Sequence, residues 1–92
     1  MNYRRVELDI LPYLRFIKSD TLSITEKKER EHQLISATVL TCLDHEDVGL
    51  IVKLENGEEV ELICNRIDYE GDFVELKGGY IIPLHAIVKV EI

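Results

Sequence analysis

Two cysteines and two histidines are the side chains with the widest chemical range: Cys42-x-x-His45, Cys64 and His85. Together they supply the sulfurs and imidazoles of a tetrahedral zinc site. Only Cys42 and His45 stand at ligand-like spacing, whereas sites of this kind show two such knuckles. Cys64 alternates with apolar neighbours and reads as a small buried hydrophobe. His45 lies in the charged run Asp44-His45-Glu46-Asp47, where a hydrated imidazole is ordinary. No metal and no other cofactor is therefore expected. Asp44, Glu46 and Asp47 do not make a calcium loop either, for its glycine and terminal glutamate are missing. The sequence holds no Gly-rich phosphate loop, nucleophile elbow or Ser/His/Asp arrangement. Glu55, Glu58, Glu59 and Glu61 crowd one short stretch. Carboxylates do general acid–base work only where their environments split their pKa values, and an exposed turn offers no such burial. The chain is expected not to be an enzyme.

The elements that would carry these residues are clearest in the second half. Leu50–Glu55 and Glu59–Cys64 are alternating apolar runs joined at Asn56-Gly57. That pair predicts a hairpin with a type I′ turn, whose two central residues take positive φ. Leu50, Val52 and Leu54 share a face with Val60, Leu62 and Cys64. At Asn65-Arg66 the phase slips, and Ile67 and Tyr69 carry the apolar pattern on odd positions. A one-residue slip flips the faces, so a bulge or sharp bend is expected there. Strands over Phe73–Lys77, Tyr80–Ile82 and Ile87–Ile92 follow, separated by Gly78-Gly79 and by a stop at Pro83.

The first half is less regular. Residues 1–22 read as an extended arm, with a strand-like alternation at Val6, Leu8 and Ile10 that Leu11-Pro12 interrupts. Its apolar residues either pack over the sheet or, beside Arg4, Arg5 and Arg15, form a contact surface for a partner. Ser23 with Glu26 is a capping box, so a helix begins there. Glu26–Gln33 is polar on all sides and reads as solvated, with Glu26 and Arg30 paired at i,i+4. The helix is taken to run over 23–43; a strand over 36–43 remains the alternative, because periodicity does not arbitrate a short apolar run.

Ninety-two residues suit one domain, 1–92, with the β part over 48–92. No signal peptide and no membrane-length apolar run is seen, and two cysteines fit a reducing compartment, so the cytoplasm is expected. The net charge of −7 is uneven: residues 1–35 carry +1 and residues 36–92 carry −8. An acidic half repels phosphate and favours a protein partner with a basic surface.

In outline, a helix followed by strand, Asn-Gly turn, long bent strand, short strand, Gly turn, strand and final strand resembles the Sm-like barrel. The expected fold is thus mainly β (α+β): a small Sm-like/SH3-like bent β-barrel of about five strands preceded by an N-terminal helix. Leu54-Glu55-Asn56-Gly57, Ile67-Asp68, Phe73-Val74-Glu75-Leu76 and Ile82-Pro83-Leu84 through Ile92 are similar to the C-terminal half of YolD-like proteins. That resemblance covers about half the chain. It implies a non-enzymatic accessory role beside error-prone repair polymerases, in DNA repair and the SOS response. The outline is also similar to the Rho-binding antiterminator family, which places a helix and a cysteine before the first strand, as Cys42 is here. The expected function is a protein-binding adaptor whose acidic surface, Glu55, Glu58, Glu59 and Glu61, meets a basic partner. The alternative is an Sm-like single-stranded nucleic-acid module or a Rho-binding antiterminator, using Arg66, Tyr69, Phe73, Lys77 and Tyr80 as cations and stacking rings. Edge strands leave room for homo-oligomers.

Overall fold

The structure is a computed structural model and describes residues 3–92; Met1 and Asn2, the start of the expected arm, lie outside the described residues. Helix α1 runs Ile24–Leu43. The Ser23 hydroxyl accepts from the Glu26 N–H (3.2 Å), and the Glu26 carboxylate accepts from the Ser23 N–H (2.9 Å). Two orphan amides are thereby satisfied. The Ser23 backbone bond, with that of its side chain, holds the Glu26 carboxyl below the usual range. The buried positions Arg30, Leu34, Ala37 and Thr41 form one stripe at helical spacing, so residues 36–43 are helix.

Among the described residues, seven strands form two sheets. In the first, the order is β1 (Arg4–Arg5), β3 (Glu59–Cys64), β2 (Val48–Lys53), β7 (Ile87–Glu91); in the second it is β4 (Ile67–Tyr69), β5 (Phe73–Leu76), β6 (Ile81–Pro83). No strand of one sheet pairs with the other among the described residues, so the structure shows a small α+β fold of two sheets that do not close on each other. The chain leaves the first sheet at Asn65-Arg66, where the phase slip predicts a bend. There α1 holds the bend: Thr41, 1% exposed, accepts from the Ile67 N–H (3.1 Å) and donates to the Thr38 carbonyl (3.3 Å). Pro83, which lacks an N–H, ends β6, and a 3₁₀ turn over Leu84–Ala86 leads into β7.

The β2–β3 hairpin pairs Val48 with Cys64 through Lys53 with Glu59. Its turn differs from the expected type I′. Gly57 has φ +90°, while Asn56 does not share it. The Gly57 N–H donates to the Leu54 carbonyl (2.9 Å), and the Leu54 N–H to the Glu58 carbonyl (2.8 Å). This is a three-residue loop, a type I turn closed by a glycine bulge. The Asn56 side chain accepts from the Glu58 N–H at 2.9 Å, a local bond that stabilises the non-I′ geometry.

The arm is not extended throughout. β1 pairs in parallel with β3, Arg4 opposite Val60, and the Val6 N–H donates to the Glu61 carbonyl (3.0 Å). A 3₁₀ helix then spans Leu8–Tyr13 and buries Leu11, so the alternation at Val6, Leu8 and Ile10 is not a strand. Beyond it the Ile17 N–H donates to the Lys53 carbonyl (3.1 Å) and the Glu55 N–H to the Arg15 carbonyl (2.8 Å). The arm therefore touches both edges of the β2–β3 hairpin.

Arg30 departs most from its expected place. It is 4% exposed rather than solvated, and pairs with Asp20 rather than Glu26. Its guanidinium donates to both Asp20 carboxylate oxygens (3.2 and 2.6 Å) and to the Ile87 carbonyl (2.9 Å). The buried stripe of α1 includes position 30, and a planar five-donor group is the cation that such a site can satisfy. Burial works against the Asp20 charge, but the Arg30 and Leu22 hydrogen bonds and the charges of Arg30 and Lys27 outweigh it, leaving its pKa lowered.

Candidate binding surfaces

The four residues of the zinc set are dispersed. Cys64 is 1% exposed, and burial, then the Asp47 carboxylate, push its thiol up to about 12. His85 Nε2 lies 2.7 Å from the Ile17 carbonyl and fastens the 3₁₀ turn before β7 to the arm. Cys42 and His45 together line a depression at the end of α1. Among the described residues no three potential metal ligands converge.

The acidic hairpin is partly neutralised from within. Arg4 makes a fork on Glu58, with Nε at 2.8 Å and the terminal nitrogen at 2.9 Å. That hydrogen bond, with the Arg4 charge, holds the Glu58 carboxyl below the usual range and raises Arg4 above its own. Arg5 reaches Glu61 Oε1 at 3.2 Å. Of the four expected partner-binding carboxylates, Glu55 and Glu59 join no ion pair among the described residues.

A second acidic feature lies at the opposite end of the same sheet. Gly49 stands on the outer face of β2, between Ile63 of β3 and Glu91 of β7. It lines a groove of about 270 Å³ together with Asp47, Glu61, Ile63, Glu91 and Ile92. A methyl at Gly49 would approach Glu61 Oε2 to 3.3 Å and Glu91 Cβ to 3.5 Å. Sequence reasoning passed over this site. Its signal was a glycine inside an otherwise apolar strand, which marks close approach by something else.

The nucleic-acid set is divided. Arg66 and Lys77 line one depression with Thr41, Cys42, His45 and Asn65. Tyr69 and Tyr80 instead pack partly buried against the core, and Tyr80 lines a different hollow with Arg5, Glu7 and Asp9. Phe73 is half-buried in β5. No Phe, Tyr or Trp ring is among the residues lining the cationic depression.

No helix of the described chain is long and apolar enough to cross a membrane. No family model matches the chain, and no curated protein or solved structure matches it either.

Proposed function

We propose that the protein is a small, non-enzymatic, cytoplasmic adaptor that holds a basic segment of a partner protein on the outer face of its first sheet. The groove over Gly49 carries this reading. Its lining is apolar at Ile63 and Ile92 and acidic at Asp47, Glu61 and Glu91. A lysine or arginine side chain lays its hydrocarbon stem on apolar surface and keeps its charged head among carboxylates. Glu61 gives Oε1 to Arg5 and keeps Oε2 beside Gly49, so it serves both contacts. The paired Glu58 is a weaker candidate for the same task, because a new cation would displace Arg4.

The test is affinity capture from native cells with the natural protein and with Asp47→Lys/Glu91→Lys. The captured partner's most basic segment is then titrated as a peptide. Charge reversal is expected to weaken binding by roughly tenfold or more, and added salt to do the same. Equal affinity for both proteins would refute the groove.

The same proposal reads the two sheets as halves of an Sm-like/SH3-like bent barrel. The bend linking β3 to β4 and the 3₁₀ turn linking β6 to β7 support it. The YolD-like resemblance makes the DNA-repair machinery the first place to seek the partner. Single-stranded nucleic-acid or Rho binding is the second reading, favoured by Arg66 and Lys77 in one depression. Self-association would use the outer edges of β4, β6 or β7, the end strands of the two sheets not covered by the arm.

A further inference from the structure

We propose that the depression at the end of α1 is a binding site for a small phosphate monoester. Four separate segments meet there: the last turn of α1 (Thr41, Cys42), the loop after it (His45), the bend between β3 and β4 (Asn65, Arg66) and the turn after β5 (Lys77). The space is about 300 Å³, the lower end of the range for small-molecule sites. The chain holds 18 Asp and Glu, yet none lines this space, whereas Arg66, Lys77 and His45 do. Arg4, Arg5 and Arg30 are each held by a carboxylate; Arg66 and Lys77 enter no ion pair among the described residues.

The donor types match the ligand. A guanidinium makes a planar fork on two phosphate oxygens, an ammonium adds a point charge, and the Asn65 amide and an imidazole N–H supply neutral donors. The Thr41 hydroxyl contributes nothing, because the Ile67 and Thr38 backbone groups already use it. The C-terminal end of α1 carries partial negative charge and opposes an anion. The two formal charges of Arg66 and Lys77 outweigh that half charge, and a phosphate dianion is neutralised only by both.

His45 is a second observation at the same place. Its φ is +54°, the left-handed region where helix ends favour glycine. The Asp44 and Glu46 N–H groups both donate to the Leu40 carbonyl (3.0 and 3.3 Å) and fix that geometry around it. A side chain kept where glycine would relieve strain fits a function for the imidazole.

The ligand is small rather than polymeric. The net charge of −7 repels a polyanion at range, and the lining holds no Phe, Tyr or Trp ring, leaving the single His45 imidazole where a polymer binder presents a platform of rings. This site is independent of the Gly49 groove, and its experiment uses no protein partner.

Cys42 lines the depression and is exposed, whereas Cys64 is buried, so one accessible thiol reports on occupancy. Its alkylation by neutral N-ethylmaleimide is followed with increasing inorganic phosphate or glycerol 3-phosphate, against sodium chloride at matched ionic strength. Both phosphates are expected to slow the reaction saturably, by about fivefold or more where occupancy is high. Arg66→Gln and Lys77→Gln, exposed positions that leave the core intact, should each abolish protection while the circular dichroism spectrum is unchanged. Equal protection by chloride, or protection that survives both substitutions, would overturn the site. Stronger protection by a thymidine oligonucleotide than by glycerol 3-phosphate at equal phosphate concentration would overturn the small ligand and favour the polymer.

Discussion

Burying an arginine at 4% exposure is unfavourable unless close acceptors replace its water, and Asp20 and the Ile87 carbonyl do so. Removing the carboxylate leaves the cation buried with one partner. Asp20→Ala is therefore expected to cost about 3 kcal/mol in urea unfolding. The pair also sets a pH dependence. The folded pKa of Asp20 lies below its unfolded value, so its contribution is full above about pH 4 and is lost as pH falls through the folded pKa. The natural protein should lose stability more steeply than Asp20→Ala below pH 4, which unfolding midpoints across acid pH would measure. Substitution at His45 is expected to stabilise rather than destabilise. Relief of its left-handed backbone in His45→Gly should raise stability by about 1 kcal/mol, about 4–8 °C in Tm, while weakening phosphate protection of Cys42. Neither residue was readable in this way from sequence. Arg30 sits in a polar run that looks solvated, and its partner lies ten residues earlier, outside any helical spacing. A positive φ at a histidine has no sequence signal at all.

Among elements, those with local causes were legible. The Ser23–Glu26 box, the glycine at the hairpin, the slip at Asn65-Arg66 and the stop at Pro83 each act within a few residues, and each appears where the pattern puts it. The turn type was misjudged because the Asn56 side chain bonds the Glu58 N–H and favours a three-residue loop over a two-residue one. The division into two sheets was not legible, since it depends on which strands pair across the molecule. One contact between elements is decisive at that division. Thr41 on α1 is the acceptor for the Ile67 N–H at the start of β4. Thr41→Val keeps the shape but leaves that buried amide without a partner, at a cost of about 2 kcal/mol. Hydrogen exchange should show the Ile67 amide losing protection beyond the global change. If it exchanges only with the rest of the core, α1 does not hold the bend.

For the molecule as a whole, the arm decides which strand edges meet solvent. β1 covers the outer edge of β3 through the Val6–Glu61 bond, and Arg15–Ile17 cover β2 where β7 has ended. Unpaired edges template association with another chain, so an arm closing both sides of the hairpin keeps β2 and β3 from pairing with one and leaves β7 as the uncovered end of the first sheet. The candidate acidic site was legible only as a sum of charge, because the arm supplies Arg4 and Arg5 to Glu58 and Glu61 and shifts the free carboxylates toward Gly49. Removing residues 1–17 should therefore do more than loosen the core. It uncovers backbone at residues 53–55 and 60–61, and light scattering should show mass rising with concentration. Loss of Val6 and Leu11 alone would lower stability, and partial unfolding also associates chains. Full-length Val6→Ala/Leu11→Ala separates the two causes: it empties the arm's two buried core positions but keeps the arm's backbone bonds. The truncated chain is expected to associate while the double variant, at equal Tm, stays at the mass of the natural protein. Association of both to the same degree would assign the effect to lost stability and leave the arm no part in guarding the edges.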